Sequence, residues 1–465
     1  MTDFPTDPAT AAAWLADRRW YGDKSRPIAR LAQQDLATVR AGEVDVTLKT
    51  LAIRFADGGE AIYFVPLLAT DSPVPVESLS NEAFQTWLAE GFADNRHLTI
   101  DADTELVWQS STANQGRWWD HVPDNLKGEQ SNTSIRFGDD AVMKVFRKWQ
   151  PGINPDTEIV EFLTEQAHFP HVPAFLGSIR LIQHGVNTEV AAVQNFVANE
   201  GDAWMWLPSA LANSDPASES DLLGSIRLLG QRTGELHVAL ASGLGDAFAP
   251  EVISPADAAE IRRRIERELA MTIEKLRASG YLSEPDATAL EWNLLDRIGE
   301  ITSQVGTRRT RVHGDYHLGQ VLRSHGDFVI IDFEGEPSRT MDERRQKHSP
   351  LKDVAGMLRS LDYAVATAAA NDPDDADRLQ ELGARMDAAF LAGYREAVSN
   401  ATHPLVPADD QQFMATLRPY MIEKALYEMR YEMDNRPDWV DIPLNALHRI
   451  ATEGVGEECT DSVIK

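Results

Sequence analysis

The sequence predicts an α+β protein built as two lobes, and three observations carry that expectation. Strand-like segments come first, at Val44–Ile53, Ala61–Leu67, Ser134–Phe137, Ala141–Phe146, Gly177–Gln183 and Val190–Phe196. Long amphipathic segments take over afterwards, at Asp221–Leu240, Pro255–Ser279, Pro285–Gln304, Leu351–Ala370, Asp374–Ser399 and Asp409–Asn435. Strands followed by helices indicate α+β rather than alternating α/β. The length of 465 residues exceeds what one ordinary hydrophobic core serves.

Taken in order, residues 1–95 read as a separate small unit. A helix containing Trp14 and Leu15 leads into Arg18-Arg19-Trp20-Tyr21-Gly22, and the Ala/Asp/Ser/Pro loop at Ala69–Pro75 punctuates the strands. Residues 96–204 form a β-rich second unit. Its one helix, Pro155–Gln166, starts with Asn154 as N-cap and Pro155 at the first position. Residues 205–465 form the helical unit, interrupted by the polar loop Asn213–Asp221 and by two short strands, Arg311–His313 and Phe328–Ile331.

Composition excludes several functions. Hydrophobic residues are 43% and charged residues 25% of the chain, the balance of a folded globular protein. The 44 basic and 73 acidic side chains leave a formal charge of −29, which repels nucleic acid and anionic membranes. No apolar run reaches bilayer length and the start lacks a secretory leader, so a cytoplasmic location is expected. The single cysteine, Cys459, makes neither an internal disulfide nor a thiolate metal site.

The chemistry concentrates in residues 311–334. Arg311-Val312-His313 ends a strand, Gly314 permits a tight turn, and Asp315 projects from a loop with Gln320 five residues on. That spacing matches the catalytic loop of kinases, where the Asp accepts the acceptor hydroxyl's proton and the amide oxygen binds metal. The apolar run Phe328–Ile331 delivers Asp332 to its end, where a carboxylate can hold Mg²⁺, and Glu334 points to the same side if the strand continues. The set His-Gly-Asp-x-His-x-x-Gln resembles the aminoglycoside-phosphotransferase-like kinases. That resemblance implies a two-lobed protein-kinase-like fold, Asp315 as base, and Gln320 and Asp332 as metal ligands.

A nucleotide side follows. No Gly-x-x-x-x-Gly-Lys-Ser/Thr motif is present, but Gln130-Ser131-Asn132-Thr133-Ser134 is a turn whose N–H and hydroxyl groups (Ser131, Thr133, Ser134) can cradle phosphates. Lys144 lies between apolar strand residues and needs a partner, because an unpaired buried ammonium is costly. Glu158 and Glu161 both offer one, and the family resemblance selects Glu158. The segment Gln194-Asn195-Phe196-Val197 is then the hinge that reads adenine, through Gln194, Phe196 and Val197.

The acceptor side falls on the last long helix. Lys424, Tyr427, Glu428, Tyr431 and Asn435 share one face by the i, i+3, i+4 rule, combining aromatic rings with hydrogen-bonding groups as sugar sites do. His317 and Glu334, beside Asp315 and Asp332 in the chain, complete the expected substrate set. Four stretches widen the resemblance to nearly the whole chain: Arg18-Arg19-Trp20-Tyr21-Gly22; Phe146-Arg147 with Pro151-Gly152-Ile153-Asn154-Pro155-Asp156; Ser349-Pro350-Leu351-Lys352-Asp353 through Leu358; and Asn435-Arg436-Pro437-x-Trp439. In these the chain resembles the bacterial maltokinases. The resemblance implies that residues 1–95 are a cap subdomain and that ATP, with Mg²⁺, phosphorylates the anomeric hydroxyl of maltose. The maltose 1-phosphate formed would feed α-glucan (glycogen) synthesis. It also implies a trehalose–maltose isomerase as partner. The alternatives are another sugar or amino-sugar kinase, such as a glucosamine kinase, and a nucleotide-binding regulatory protein without turnover. Asp315, Asp332 and Lys144 all being present argues against the last.

Overall fold

Alternating burial along the N-terminal strands, with long one-sided helices after them, shapes the computed structural model. It describes residues 4–453 except 73, 113, 115, 127–130, 216–217 and 337–338. The phosphate-turn residue Gln130 and Cys459 therefore lie outside the described residues. The chain divides into two compact units, Met1–Ala198 with Arg339–Glu343, and Asn199–Ser338 with Arg344–Lys465.

In the first unit, α1 (Pro8–Ala16) precedes β1 (Ile28–Ala41), β2 (Val44–Phe55), β3 (Glu60–Phe64) and β4 (Leu67–Leu68). After α2 (Glu82–Glu90) come β5 (His97–Asp101), β6 (Thr104–Ser110), β7 (Pro123–Asn125), β8 (Asn132–Phe137), β9 (Ala141–Phe146) and β10 (Lys148–Trp149). Then α3 (Pro155–Glu165) leads to β11 (Phe175–Gln183) and β12 (Val186–Asn195). Two antiparallel sheets result. One runs β1-β2-β3-β10 with β4 on β2; the other has seven strands in the order β5-β6-β11-β12-β9-β8-β7. Phe4, Trp14, Trp20, Tyr21, Phe55 and Tyr63 close a small core under the first sheet. Leu36, Val46 and Phe64 from that sheet also enter a larger core with Ile135, Met143, Val145 and Val193 of the second. The segment expected to stand apart as residues 1–95 thus shares apolar side chains with the strands that follow it. Asn154 caps α3 through its side-chain oxygen, which accepts from the Asp156 N–H at 2.9 Å.

The second unit contains α4 (Ala203–Ala212), α5 (Glu219–Leu240), a two-stranded pair β13 (Glu251–Val252) with β14 (Arg308–Arg309), α6 (Pro255–Ser279) and α7 (Glu284–Gly299). The hairpin β15 (Val321–Ser324) and β16 (Asp327–Ile330) follows; a single turn α8 (Met341–Arg344) comes next in the chain but belongs up to Glu343 to the first unit, and α9 (Leu351–Asn371), α10 (Ala376–Val398), α11 (Asp410–Asn435) and α12 (Asp441–Thr452) complete the second. Helices α5 and α10 approach backbone to backbone: a Cβ on Gly230 would sit 2.0 Å from the Phe390 carbonyl oxygen, and one on Gly393 2.0 Å from that of Arg227. Among the described residues no helix is long and apolar enough to cross a membrane.

Two strand expectations change. Arg311–His313 is not a strand; the backbone N–H of His313 goes to a side-chain carboxylate instead of a ladder partner. The strand before Asp332 ends at Ile330, so Glu334 does not continue its alternation.

Candidate active site

The loop after Val312 is held from four sides. Asp353, in the first turn of α9 and 1% exposed, accepts from the His313 N–H at 2.7 Å and the Gly314 N–H at 3.0 Å, and pairs with His237 Nε2 at 3.1 Å. Burial acts to raise this carboxyl, but the His237 ring and the Gly314 N–H outweigh it and hold it below the usual range. Ser360 Oγ accepts from the Leu318 N–H at 3.1 Å, and the Tyr316 hydroxyl meets Thr233 Oγ1 at 2.9 Å. Gly356 lets α9 come close, since a Cβ there would lie 2.5 Å from the Tyr316 carbonyl oxygen. His313 bridges onward: Nε2 faces the Ile331 carbonyl at 2.9 Å and the ring packs on Phe333. Asp315 therefore projects from a loop with little freedom to move.

Asp332 follows in the left-handed region at φ 66°, a conformation a non-glycine side chain occupies only where surroundings enforce it. The Ile331 N–H donates to the Gln320 carbonyl at 3.0 Å, and the Gln320 side-chain nitrogen lies 3.0 Å from Asp332 Oδ2. Gly314 (φ 88°) and Gly335 (φ 72°) let the two turns meet, with a Cβ on Gly314 3.4 Å from Gly335 Cα. An amide and a carboxylate at this spacing form a hard oxygen donor set once the amide turns its oxygen outward, so Gln320 and Asp332 fit Mg²⁺. Glu334, expected in the substrate set, is outside the lining of the cavity described next.

That cavity, of about 420 Å³, has Asp315, His317 and Gly319 at one wall and α11 at another. Four of the five expected α11 residues line it: Lys424, Tyr427, Glu428 and Tyr431. Asn435 does not, because its side-chain N–H donates to the Tyr431 carbonyl at 2.8 Å and finishes the helix. His317 is kept neutral-leaning, its pKa lowered chiefly by burial, and its Nδ1 accepts from the Gly319 N–H at 3.1 Å. Sequence reasoning missed Tyr363, Trp439 and Arg436. The Tyr363 and Trp439 rings stack at 6.2 Å, as Tyr427 and Tyr431 do at 6.4 Å. The conspicuous Arg436-Pro437-x-Trp439 run was the available signal.

Charges facing the cavity are matched one to one. Asp315 Oδ1 is 3.5 Å from Lys424 Nζ, and Glu432 Oε1 is 2.7 Å from Arg436 Nη2. Glu428 is 2.8 Å from Nε of Arg359, a fully buried guanidinium that also holds Asp362 at 2.5 Å. Burial pushes the Glu428 carboxyl up while Arg359 and Lys424 pull against it.

In the first unit, Lys144 sits on β9 with its Nζ 3.5 Å from the buried Asp156 carboxylate, a partner absent from the expected pair Glu158 and Glu161. Glu161 instead pairs with Arg180 at 3.3 Å. The sheet register sets Ser134 opposite Lys144, so their side chains share a face. Thr133 takes the other face by alternation, where its hydroxyl accepts from Arg147 Nε at 2.8 Å; this removes it from the expected phosphate cradle. Ser131 precedes β8 and is exposed. Gln194 lies on β12, and Val197 follows its end. The Phe196 N–H, expected to read adenine, is committed to the Asp140 carbonyl at 3.0 Å, and its ring lies 4.0 Å beneath the Arg136 guanidinium.

A sheet-rich N-terminal lobe, a helical C-terminal lobe and the His-Gly-Asp loop define a two-lobed protein-kinase-like fold. Comparison with known proteins sharpens this. Residues 14–102 match the family described as Maltokinase N-terminal cap domain. A glucosamine kinase from Streptacidiphilus jiangxiensis is 27% identical over 325 residues, covering 68% of this chain and 70% of that protein. One from Mycolicibacterium smegmatis is 27% identical over 365 residues, covering 76% and 83%. Among solved structures, glucosamine kinase in complex with glucosamine, ADP and inorganic phosphate superposes with a TM-score of 0.70. It shares 24% identity over 91% of this chain and 94% of that one. A second crystal form of glucosamine kinase gives 0.71 at 23% identity, covering 92% and 95%. The fold expected from the sequence holds at this level: a segment matching the maltokinase N-terminal cap domain opens a chain whose fold is that of the glucosamine kinase structures.

Proposed function

We propose that this protein is an ATP- and Mg²⁺-dependent sugar kinase that phosphorylates the anomeric hydroxyl of maltose, giving maltose 1-phosphate. Asp315 takes the hydroxyl proton, Gln320 and Asp332 hold the metal, and Lys144 with Ser134 meets the phosphates. An anomeric hydroxyl is more acidic than an ordinary alcohol, so a carboxylate on a fixed loop suffices as base. ATP as co-substrate is supported by the ADP bound in the glucosamine kinase complex. The bound metal would neutralise charge on the transferring phosphoryl group.

The observation that carries the choice of a neutral sugar is the charge matching in the cavity. Its three carboxylates, Asp315, Glu428 and Glu432, each already have a cation, in Lys424, Arg359 and Arg436. An amino sugar's ammonium would find none of them uncompensated. A neutral sugar needs hydrogen-bond acceptors and rings instead. Glu432 Oε2 is buried without a partner, and two stacked aromatic pairs offer one platform for each ring of a disaccharide. The cap match supports the same reading.

A second reading, glucosamine kinase, is favoured by the relatives at 27% identity. A screen of maltose, glucose, glucosamine and an aminoglycoside with ATP and Mg²⁺ separates the two. Maltose-dependent ADP release is expected, and faster turnover of glucosamine than of maltose would overturn the proposal.

A further inference from the structure

Lys424 is conspicuous for what it lacks. Its side chain is 26% exposed at the cavity wall, yet it makes one ion pair, to Asp315 at 3.5 Å, one contact with the face of the Tyr427 ring at 5.4 Å, and no hydrogen bond to any described residue. An ammonium carries three donors. A largely buried one aimed into a cavity with its donors unused is built for a ligand that supplies acceptors. Burial works against its charge, but Asp315, Glu428 and Glu336 together raise its pKa, so it stays protonated.

We infer that Lys424 is a catalytic residue, the cation that passes from the Asp315 carboxylate to the transferring phosphoryl group during the reaction. This rests on the kinase reading above and assigns Lys424 a role other than the sugar contact expected from its helix face.

Geometry supplies the reason. The acceptor hydroxyl must lie within hydrogen-bond reach of Asp315, and the phosphorus it attacks sits about 3–3.5 Å beyond that oxygen. An ammonium already 3.5 Å from Asp315 Oδ1 is therefore next to the reacting centre. In the step itself the acceptor oxygen forms a bond to the γ-phosphorus, and its proton passes to the Asp315 carboxylate. The bond from the γ-phosphorus to the bridging oxygen breaks, with its electron pair leaving on ADP. As Asp315 becomes neutral, Lys424 loses its partner at the moment when charge spreads over the equatorial phosphoryl oxygens. The two changes favour the same handover. Arg436 is less suited, being bound to Glu432 at 2.7 Å.

The test is steady-state kinetics of wild type, K424M and K424R with ATP, Mg²⁺ and the accepted sugar, alongside melting temperatures. Removing one preorganised donor of this kind lowers kcat about 10²–10³-fold. The expected result for K424M is that loss with the sugar KM changed less than about threefold, and at least a tenfold recovery in K424R. A raised sugar KM with kcat unchanged would make Lys424 a sugar ligand and overturn the inference. If K424M does not fold, K424Q is read by the same criteria. If the wild type phosphorylates no sugar, the sugar-kinase reading fails separately. Slow ATP hydrolysis to water then reports on Lys424 alone, and a rate unchanged in K424M overturns its role.

Discussion

Replacing Asp353 tests whether the catalytic loop is held by one buried carboxylate. Asp353→Ala removes acceptors from the buried His313 N–H, the half-buried Gly314 N–H and the buried His237 ring. Each orphaned buried donor costs about 1–3 kcal/mol, so a loss of about 3–5 kcal/mol is expected. Asp353→Asn keeps the shape and one acceptor but turns an N–H₂ toward a donor, which costs about 1–3 kcal/mol. Because Gly314 immediately precedes Asp315, a displaced anchor also moves the base, and a shift of about 1 Å can cost 10²-fold in rate. Urea unfolding measures the first effect and kcat of D353N at saturating substrates the second. The pH dependence has a definite sign. The native carboxyl is held below its ordinary value, so its contribution is present above the unfolded pKa of about 3.9 and is lost as pH falls through the lower native value. Wild type should lose stability over that acidic range more steeply than D353N. A D353N protein with kcat within threefold of wild type and unchanged stability would refute the anchoring argument.

Gly356→Ala drives a methyl toward the Tyr316 carbonyl, and it should cost about 1–3 kcal/mol and lower kcat more than sugar KM, measured by unfolding and initial rates. An unaltered kcat would show that α9 does not set the loop. Arg359→Met leaves Glu428 and Asp362 without their buried cation; stability should fall by about 3–5 kcal/mol. In the folded variant the ratio of kcat/KM for glucosamine over maltose should rise at least tenfold, about 1.4 kcal/mol. A constant ratio would remove charge matching as the basis of selectivity.

What the sequence revealed depended on how far apart cooperating residues lie. The loop at 313–320 and Asp332 were readable because base and metal ligands fall within one short span. Asp353 went without a role because a single acid opening an apolar helix looks like an ordinary first-turn residue, and only folding brings it to the His313 and Gly314 amides. Asp156 was passed over for the same reason: it reads as a first-turn acid after Asn154, yet it is the buried carboxylate beside Lys144. The longest strand, β1, was not expected, since register shifts at Ile28/Arg30 and Asp35/Ala37 break its alternation into fragments. Asn435 and Glu334 lie outside the cavity lining for a different reason. Helical and strand periodicity placed them correctly only while the element continued, and α11 ends at Asn435 while β16 ends before Asp332.

The acidity of the chain bears on the site through local matching of charge. With a formal charge of −29, a cavity that on the proposed function receives both a sugar and a phosphoryl group would repel the latter unless its own carboxylates were offset. Arg359 and Arg436 do this for Glu428 and Glu432 with fixed partners, whereas the pair Asp315–Lys424 is longer, at 3.5 Å, and has no hydrogen bond to fix it. Guanidinium groups suit the static positions because they bind carboxylates through a planar fork. On the proposed mechanism, an ammonium on a flexible stem suits the position where the partner changes as a proton moves. The residue types therefore separate two tasks within one cavity: arginines that balance charge permanently, and a lysine free to follow it.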